Sequence, residues 1–239
     1  MSIFRTLIVY HDCVFRSAAM NMAVDETLLE LAVAPSIRFY RWNSPAVSFG
    51  YFGRFADVAA YGRERDLVRR WTGGGVVFHG KDLTYSMIIP ARHPLFAECS
   101  ASIYEKVHRA LSDVLRAIGQ IVYCCSHAPV ARPIQDAKAC EDGPQGRGYN
   151  RQLCFANPVR ADVLLNGQKI AGAAQRRTRR GLLQQGSIQN VAIGDDFAER
   201  FANELATVSH HIGFDRALLA RAANLAEQRY ATRAWLERH

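Results

Sequence analysis

No run of about 20 consecutive apolar residues occurs in the 239-residue chain, so nothing in it reads as a membrane-crossing helix. No Cys-x-x-Cys pair is present. The histidines near the six cysteines (Cys13, Cys99, Cys124, Cys125, Cys140 and Cys154) do not follow zinc-ligand spacing, so no metal site is expected. The amino terminus, MSIFRTLIVYHD, has one early arginine and a short apolar run broken by His11 and Asp12, which is not the pattern of a signal peptide. Neither a G-x-x-x-x-G-K-[ST] loop nor a G-x-G-x-x-G fingerprint is met, so the two common nucleotide-binding motifs are excluded. There is no internal repeat and no clean linker. These absences predict a cytoplasmic protein with free thiols, and residues 1–239 as a single domain.

Nearly half of the residues are hydrophobic (49%) and 22% are charged, which is a globular composition. At this length the core suffices without disulfide or metal staples. The net charge of +8 favours an acidic partner, whether nucleic acid, anionic membrane or acidic protein, and charge alone does not choose among them.

Hydrophobic spacing predicts a strand over 3–10 and a helix over 17–33. Ser17 is the candidate N-cap, with Met20, Ala23, Val24, Thr27, Leu28 and Leu31 on one stripe. Residues 36–42 and 46–52 read as strands around Asn43-Ser44-Pro45, a candidate hairpin. A short helix over 56–66 precedes strand-like runs at Leu67–Trp71, Val76–Phe78 and Leu83–Ile89. Ile103, Val107, Ala110, Leu111, Val114, Leu115 and Ile118 mark a helix over 101–118, followed by a strand at Ile121–Cys125. Residues 126–150, with three Pro and three Gly, lack periodicity and read as a functional loop or a disordered insertion. Strands follow at Asp162–Asn166, Lys169–Arg177 and Leu182–Gln189, the first pair joined by the hairpin signal Asn166-Gly167. From Asp195 onward the chain reads as helical, with Leu218, Leu219, Ala222, Leu225, Tyr230 and Trp235 available for packing. The expected fold class is α+β, a mixed or mostly antiparallel sheet flanked by helices.

Four segments carry candidate chemistry. In RRWTGGGVVFHG, the glycines Gly73, Gly74 and Gly75 permit a sharp turn and close approach to a ligand. Arg69 and Arg70 suit a phosphate or carboxylate, and His79 lies one short strand on. The plainer alternative is a glycine hairpin beside a solvated arginine pair. In DVLLNGQKIAGAAQRR, Lys169 follows a tight turn and precedes small residues, among them Gly172 and Ala173, that leave room for a ligand. Read in isolation, this is a hairpin with an exposed lysine. Cys154 follows the long loop and is a candidate nucleophile if its thiol pKa falls; a small buried hydrophobe is the commoner fate of a free cysteine, and the one assigned to Cys13, Cys124 and Cys125. Arg176, Arg177, Arg179 and Arg180 form a basic cluster at an expected hairpin end, either a binding patch or a solvated face.

NMAVDE on the first helix, RFYRWNSPAVSFGYF, RRWTGGGVVFHGKDLTYS and DVLLNGQKIAGAAQRRTRRGLLQQGSI occur in that order across residues 17–190. Together they resemble the biotin/lipoate ligase-type catalytic domain, on the lipoate and octanoate side. The resemblance implies a tunnel for an octanoyl or lipoyl chain lined by the glycine turn and the KIAGAAQ strand. It implies that Lys169 is the family's essential lysine and that Arg70, Gly74, Gly75 and His79 belong to the ligand-binding segment. Two chemistries remain open. One is an octanoyltransferase that takes octanoate from acyl carrier protein through a cysteine thioester, with no cofactor. The other is a ligase that uses ATP, Mg and free lipoate through an acyl-adenylate. A Cys-Phe pair at Cys154, 15 residues before Lys169, and only about 50 residues after the GSI strand favour the transferase. The implied acceptors are lipoyl domains, either glycine cleavage H protein or dehydrogenase E2, with no nucleic acid and no membrane as partner. A nucleic-acid binder using the basic face and a degenerate acyl-binding member are the remaining alternatives.

Overall fold

Ser17 ends an extended segment and its hydroxyl accepts from the Met20 amide at 3.3 Å, capping the first helix, α1 (Ala18–Leu31). The computed structural model describes residues 2–125 and 158–238. Around α1 the chain forms β1 (Phe4–His11), β2 (Ser36–Tyr40), β3 (Ala46–Phe49), β4 (Asp66–Arg69), β5 (Val76–His79) and β6 (Leu83–Pro90). Helix α2 (Ser100–Ala117) and β7 (Val122–Cys124) follow. After residue 158 come β8 (Val163–Leu165), β9 (Gln168–Arg177), β10 (Gly181–Ile188), α3 (Phe197–Leu205), β11 (Ala206–Ile212), α4 (Arg216–Leu225) and α5 (Arg233–Leu236).

An eight-stranded mixed sheet has the order β11-β1-β2-β6-β10-β9-β8-β7, and a separate three-stranded sheet has the order β4-β3-β5. β1 is parallel to both β2 and β11, while β2–β6, β6–β10 and β10–β9 are antiparallel. Alternate residues of the large sheet enter opposite cores. Met87 and Ile89 join Ile103, Val107, Leu111, Phe197 and Phe201 of α2 and α3. Ile88 and Leu183 face Val24, Leu28, Leu218 and Tyr230 on the α1 and α4 side. Helices therefore flank the mixed sheet, as the α+β expectation requires.

Four expectations change. The segments 36–42 and 46–52 do not pair as a hairpin: β2 sits between β1 and β6, β3 sits between β4 and β5, and Asn43-Ser44-Pro45 carries the chain from one sheet to the other. The helix over 56–66 is two tight 3-10 turns, Phe55–Asp57 and Ala59–Arg63. The C-terminal region is not all helical, because ATVSHHI forms β11 along the edge of β1; its polar, mostly exposed residues hide the period-two signal of a buried strand. Cys13 is exposed, and Cys124 and Cys125 are half-buried, so none is the fully buried hydrophobe expected. The loop 126–150 lies outside the described residues. No described helix is long and apolar enough to cross a membrane, and no described group of three or more His, Cys, Asp or Glu is placed to hold a metal ion.

Candidate active site

The split into two sheets leaves a pocket between them, lined mostly by apolar atoms, whose space with the adjoining open solvent is about 430 Å³. Its walls come from both sheets and α1. Gly172, Ala173 and Ala174 of β9 and Gly186 of β10 form one side, Ser48 and Val77 the other, and Met22, Tyr40 and Gln185 a third. Trp42, Arg70, His79, Thr84, Ser187 and Lys169 supply most of its polar groups.

A buried polar network stands behind the wall nearest α1. Arg38, with no solvent exposure, reaches Asp12 Oδ2 at 2.7 Å, Asp25 Oδ1 at 2.7 Å and Asn21 Oδ1 at 2.6 Å. Asp25 also accepts from Tyr40, Ser86 and Gln185, and Gln185 in turn accepts from Thr72. Two wall residues, Tyr40 and Gln185, are thereby fixed by charge-assisted bonds.

A second chain runs from the glycine turn into the cavity. Gly74 has φ of 86°, the left-handed region that favours glycine. The turn points the carbonyls of Gly73 and Gly75 at the Arg70 guanidinium, at 3.1 and 2.8 Å. Arg70 also donates to Ser48 Oγ at 2.7 Å, and Ser48 Oγ lies 2.6 Å from His79 Nε2. His79 Nδ1 is 2.8 Å from Asp82, and the ring stacks on Trp42 with centroids 3.9 Å apart. Burial pushes the His79 pKa down, outweighing the pull of Asp82, so the ring is neutral at pH 7, donates to Asp82 and accepts from Ser48. Burial works against the Asp82 carboxylate, but hydrogen bonds from His79, the Gly80 amide and Ser187 outweigh it and hold its pKa at about 2. Ser48, His79 and Asp82 share the connectivity of a hydrolytic triad. Arg70 already donates to the serine oxygen, and this bond from a cation makes that oxygen a poorer nucleophile. The chain is a clamp joining the glycine turn to the cavity wall.

Lys169 is placed by local geometry. Asn166 and Gly167 have φ of 50° and 79°, the two positive values of a type I′ hairpin turn. Register then passes from Leu164↔Lys169 to Val163↔Ala171, leaving Ile170 as an extra residue. This bulge brings Lys169 and Gly172 to the same side of the strand, where strict alternation would separate them. A Cβ on Gly172 would lie 2.3 Å from Lys169 Cε and 2.5 Å from its Nζ, so the lysine occupies the space that glycine leaves. The ammonium pairs with Asp162 Oδ2 at 2.8 Å, and the lysine is 7% exposed.

The structure thus brings Arg70, His79, Lys169, Gly172 and Ala173 together around one cavity. Gly73, Gly74 and Gly75 are not on its lining and act through the Arg70 clamp; Gly74 and Gly75 line a separate surface hollow with Phe49 and Phe52. Cys154 lies outside the described residues. The basic cluster is not simply a solvated face: Arg176 stacks over Trp71 and Tyr51, and Arg177 donates to the carbonyls of Phe96 and Glu98. Tyr104, Ser48 and the Asp25–Gln185 pair carried no local sequence signal, because their partners lie far along the chain, and Asp162, seven residues before Lys169, read only as the start of a strand.

Behind Lys169, His108 is fully buried, with Nδ1 2.8 Å from the Ala161 carbonyl and Nε2 3.0 Å from Tyr85 Oη. Burial lowers its pKa from 6.5 to about 4. The unfolded chain binds this proton below pH 6.5 and the folded chain does not. The neutral ring's contribution is therefore complete above pH 6.5 and is lost steadily down to about pH 4. Denaturant titrations at pH 6.5 and pH 5 should show the wild type losing about 2 kcal/mol from this group. The loss should be absent in His108→Gln.

An apolar slot with a carboxylate-held lysine on its wall suits a ligand with a hydrocarbon body and a polar reacting end. The chain belongs to the lipoyl protein ligase A/B catalytic domain family, which it matches over residues 17–227. Octanoyltransferase LipM of Oceanobacillus iheyensis is 31% identical over 226 residues, covering 90% of this chain and 77% of that protein. Octanoyltransferase LipM of Geobacillus kaustophilus is 36% identical over 178 residues, covering 71% of this chain and 60% of that protein. Among solved structures, Ta0514 of T. acidophilum with bound lipoic acid superposes with a TM-score of 0.71 at 18% identity, covering 99% of both chains. A lipoate-protein ligase A bound with ATP superposes at 0.69, also at 18% identity and 99% of both chains. At that identity the structural likeness speaks for the fold.

Proposed function

We propose that the protein transfers an octanoyl group from acyl carrier protein to a lysine of a lipoyl carrier domain, through a thioester on Cys154. The observation that carries this reading is the apolar cavity with the Lys169 ammonium on its wall. The hydrocarbon chain fills the slot, and the carbonyl lies within reach of the lysine. Relatives named octanoyltransferase support the choice of acyl group. The Cys-Phe pair 15 residues before Lys169 supports the choice of nucleophile.

The chemistry runs in two balanced steps. The Cys154 thiolate attacks the donor thioester carbonyl, and the carrier thiolate leaves. The neutral amine of the target lysine then attacks the acyl-enzyme, and Cys154 leaves as the amide forms, its sulfur taking up the proton that the nitrogen loses. One thioester replaces another in the first step, so no ATP is required. In both steps the carbonyl oxygen gains negative charge, which Lys169 stabilises. The net charge of +8 suits carriers with acidic faces, chiefly through the rate of encounter.

The test is intact-mass analysis after mixing the protein with octanoyl-acyl carrier protein without ATP. One added octanoyl group, absent in Cys154→Ala and passed on to an apo lipoyl domain, is the expected result. No adduct, with lipoyl-domain acylation appearing only on addition of ATP and free lipoate, would make the protein a ligase.

A further inference from the structure

Helix α2, the turn before β8 and strand β9 meet around the Lys169 side chain. Asp162, in the turn before β8, is fully buried and both its oxygens are engaged. Oδ2 accepts from Lys169 at 2.8 Å and from the Val159 amide at 2.6 Å. Oδ1 accepts from the Tyr104 hydroxyl of α2. The same hydroxyl oxygen accepts from the Ala173 amide at 2.9 Å. The recorded pairing of β8 with β9 ends at Val163↔Ala171, so Tyr104 takes the place of a strand neighbour for Ala173. One phenol therefore ties α2 both to the carboxylate that holds the lysine and to the cavity wall.

We propose that Tyr104 and Asp162 are positioning residues for acyl transfer, the phenol orienting the carboxylate and the carboxylate holding the Lys169 ammonium against the gap at Gly172. The assignment rests on the octanoyl-transfer reading of this cavity. A salt bridge serving stability alone has no need of a side-chain-free residue on a cavity wall. Here Lys169, Gly172 and Ala173 all line the cavity, and two of the three touch the Tyr104–Asp162 pair. Asp162 serves as the lysine's counter-ion, and the Tyr104 bond limits its carboxylate to one orientation.

Among the described residues, the titratable groups around this ammonium include Asp162, Tyr104 and His108 of α2, and Tyr85 of β6 beyond His108. Burial raises the pKa of Tyr104 far above its ordinary value, and Asp162 adds to the effect, so the phenol keeps its proton and donates. Tyr85 is raised as well, again chiefly by burial, and His108 is neutral above about pH 4. Asp162 is the acidic side chain in direct contact with the ammonium among the described residues. Removing its charge must disfavour the ammonium.

The experiment follows reductive methylation of Lys169 by peptide mass spectrometry from pH 6 to pH 10, alongside kcat and KM for octanoyl-acyl carrier protein. It uses the wild type, Asp162→Asn, Tyr104→Phe and the double variant. In Asp162→Asn, half-maximal methylation should move to lower pH by about one unit or more, the size expected on losing an opposite charge. Tyr104→Phe should lower kcat about tenfold with little change in KM, and should add nothing further in the Asp162→Asn background. An unmoved methylation profile, or losses that simply add, would overturn the proposal. If Asp162→Asn does not fold, Tyr104→Phe still decides it through the kcat–KM split. A wild type that transfers no octanoyl group sinks the functional reading by itself. The methylation profile then reports separately on whether Asp162 controls the lysine.

Discussion

Lys169→Met should lower the rate of octanoyl transfer by about a thousandfold while leaving the affinity for the acyl chain nearly unchanged. Loss of one well-placed donor to a developing oxyanion costs about 100- to 1,000-fold. This ammonium is buried and held by Asp162, so its placement costs nothing at the moment of reaction. The apolar part of the cavity, from Met22 and Tyr40 to Ala174, is untouched by the substitution, so KM should hold while kcat falls. On the proposed thioester route, single-turnover deacylation of the acyl-enzyme is the direct measurement. A fall in affinity with kcat preserved would make Lys169 a binding residue and not a stabiliser of charge. Lys169→Arg should not restore the rate, because a planar guanidinium does not fit the space left by Gly172.

The largest effect on stability is expected at Arg38. It is wholly buried and is the shared partner of Asp12 and Asp25, which are themselves shielded from solvent. Arg38→Met leaves both carboxylates in the interior without their common counter-ion, and breaking a buried pair in this way costs about 3–5 kcal/mol. For a chain of this size that corresponds to a fall in Tm of about 10 °C. The damage should reach the cavity, since Asp25 also holds Tyr40, Ser86 and Gln185. Adding Asp25→Asn to Arg38→Met should recover part of the loss, because one uncompensated charge is then removed. Thermal unfolding of the single and double variants checks this. An Arg38→Met protein within about 1 kcal/mol of wild type would show that the carboxylates take up protons or water cheaply.

Local pattern carried much of the fold. The expected helix over 101–118 is α2 (Ser100–Ala117), and its apolar stripe from Ile103 to Leu115 is buried as expected. Ser17 caps α1, and Asn166-Gly167 turns β8 into β9. Elements whose identity rests on distant partners were not legible. β11 is polar and exposed, and is a strand only because β1 lies beside it. The hairpin reading of 36–52 failed because β2 and β3 each find better neighbours elsewhere, which no window of about 15 residues contains. In the site, the ordered glycine and lysine segments contained Arg70, His79, Lys169, Gly172 and Ala173, which line the cavity, whereas Gly73, Gly74 and Gly75 do not. The residues that hold them, Ser48 for Arg70 and Asp162 for Lys169, were silent. A serine in an apolar strand and an aspartate before a hairpin look like many others until the fold delivers their partners.

The space shared by Lys169 and Gly172 also imposes an order on change. While the lysine is present, a methyl group at 172 meets its side chain at 2.3 Å, so even alanine there must displace the ammonium. Once the lysine is gone, position 172 is released from that constraint. In a lineage drifting away from chemistry, loss of the lysine can precede loss of the glycine, but the reverse sequence passes through a damaged intermediate. A descendant with glycine kept and lysine lost has therefore retired by a passable route, whereas bulk at 172 beside an intact lysine implies that the strand has been rebuilt.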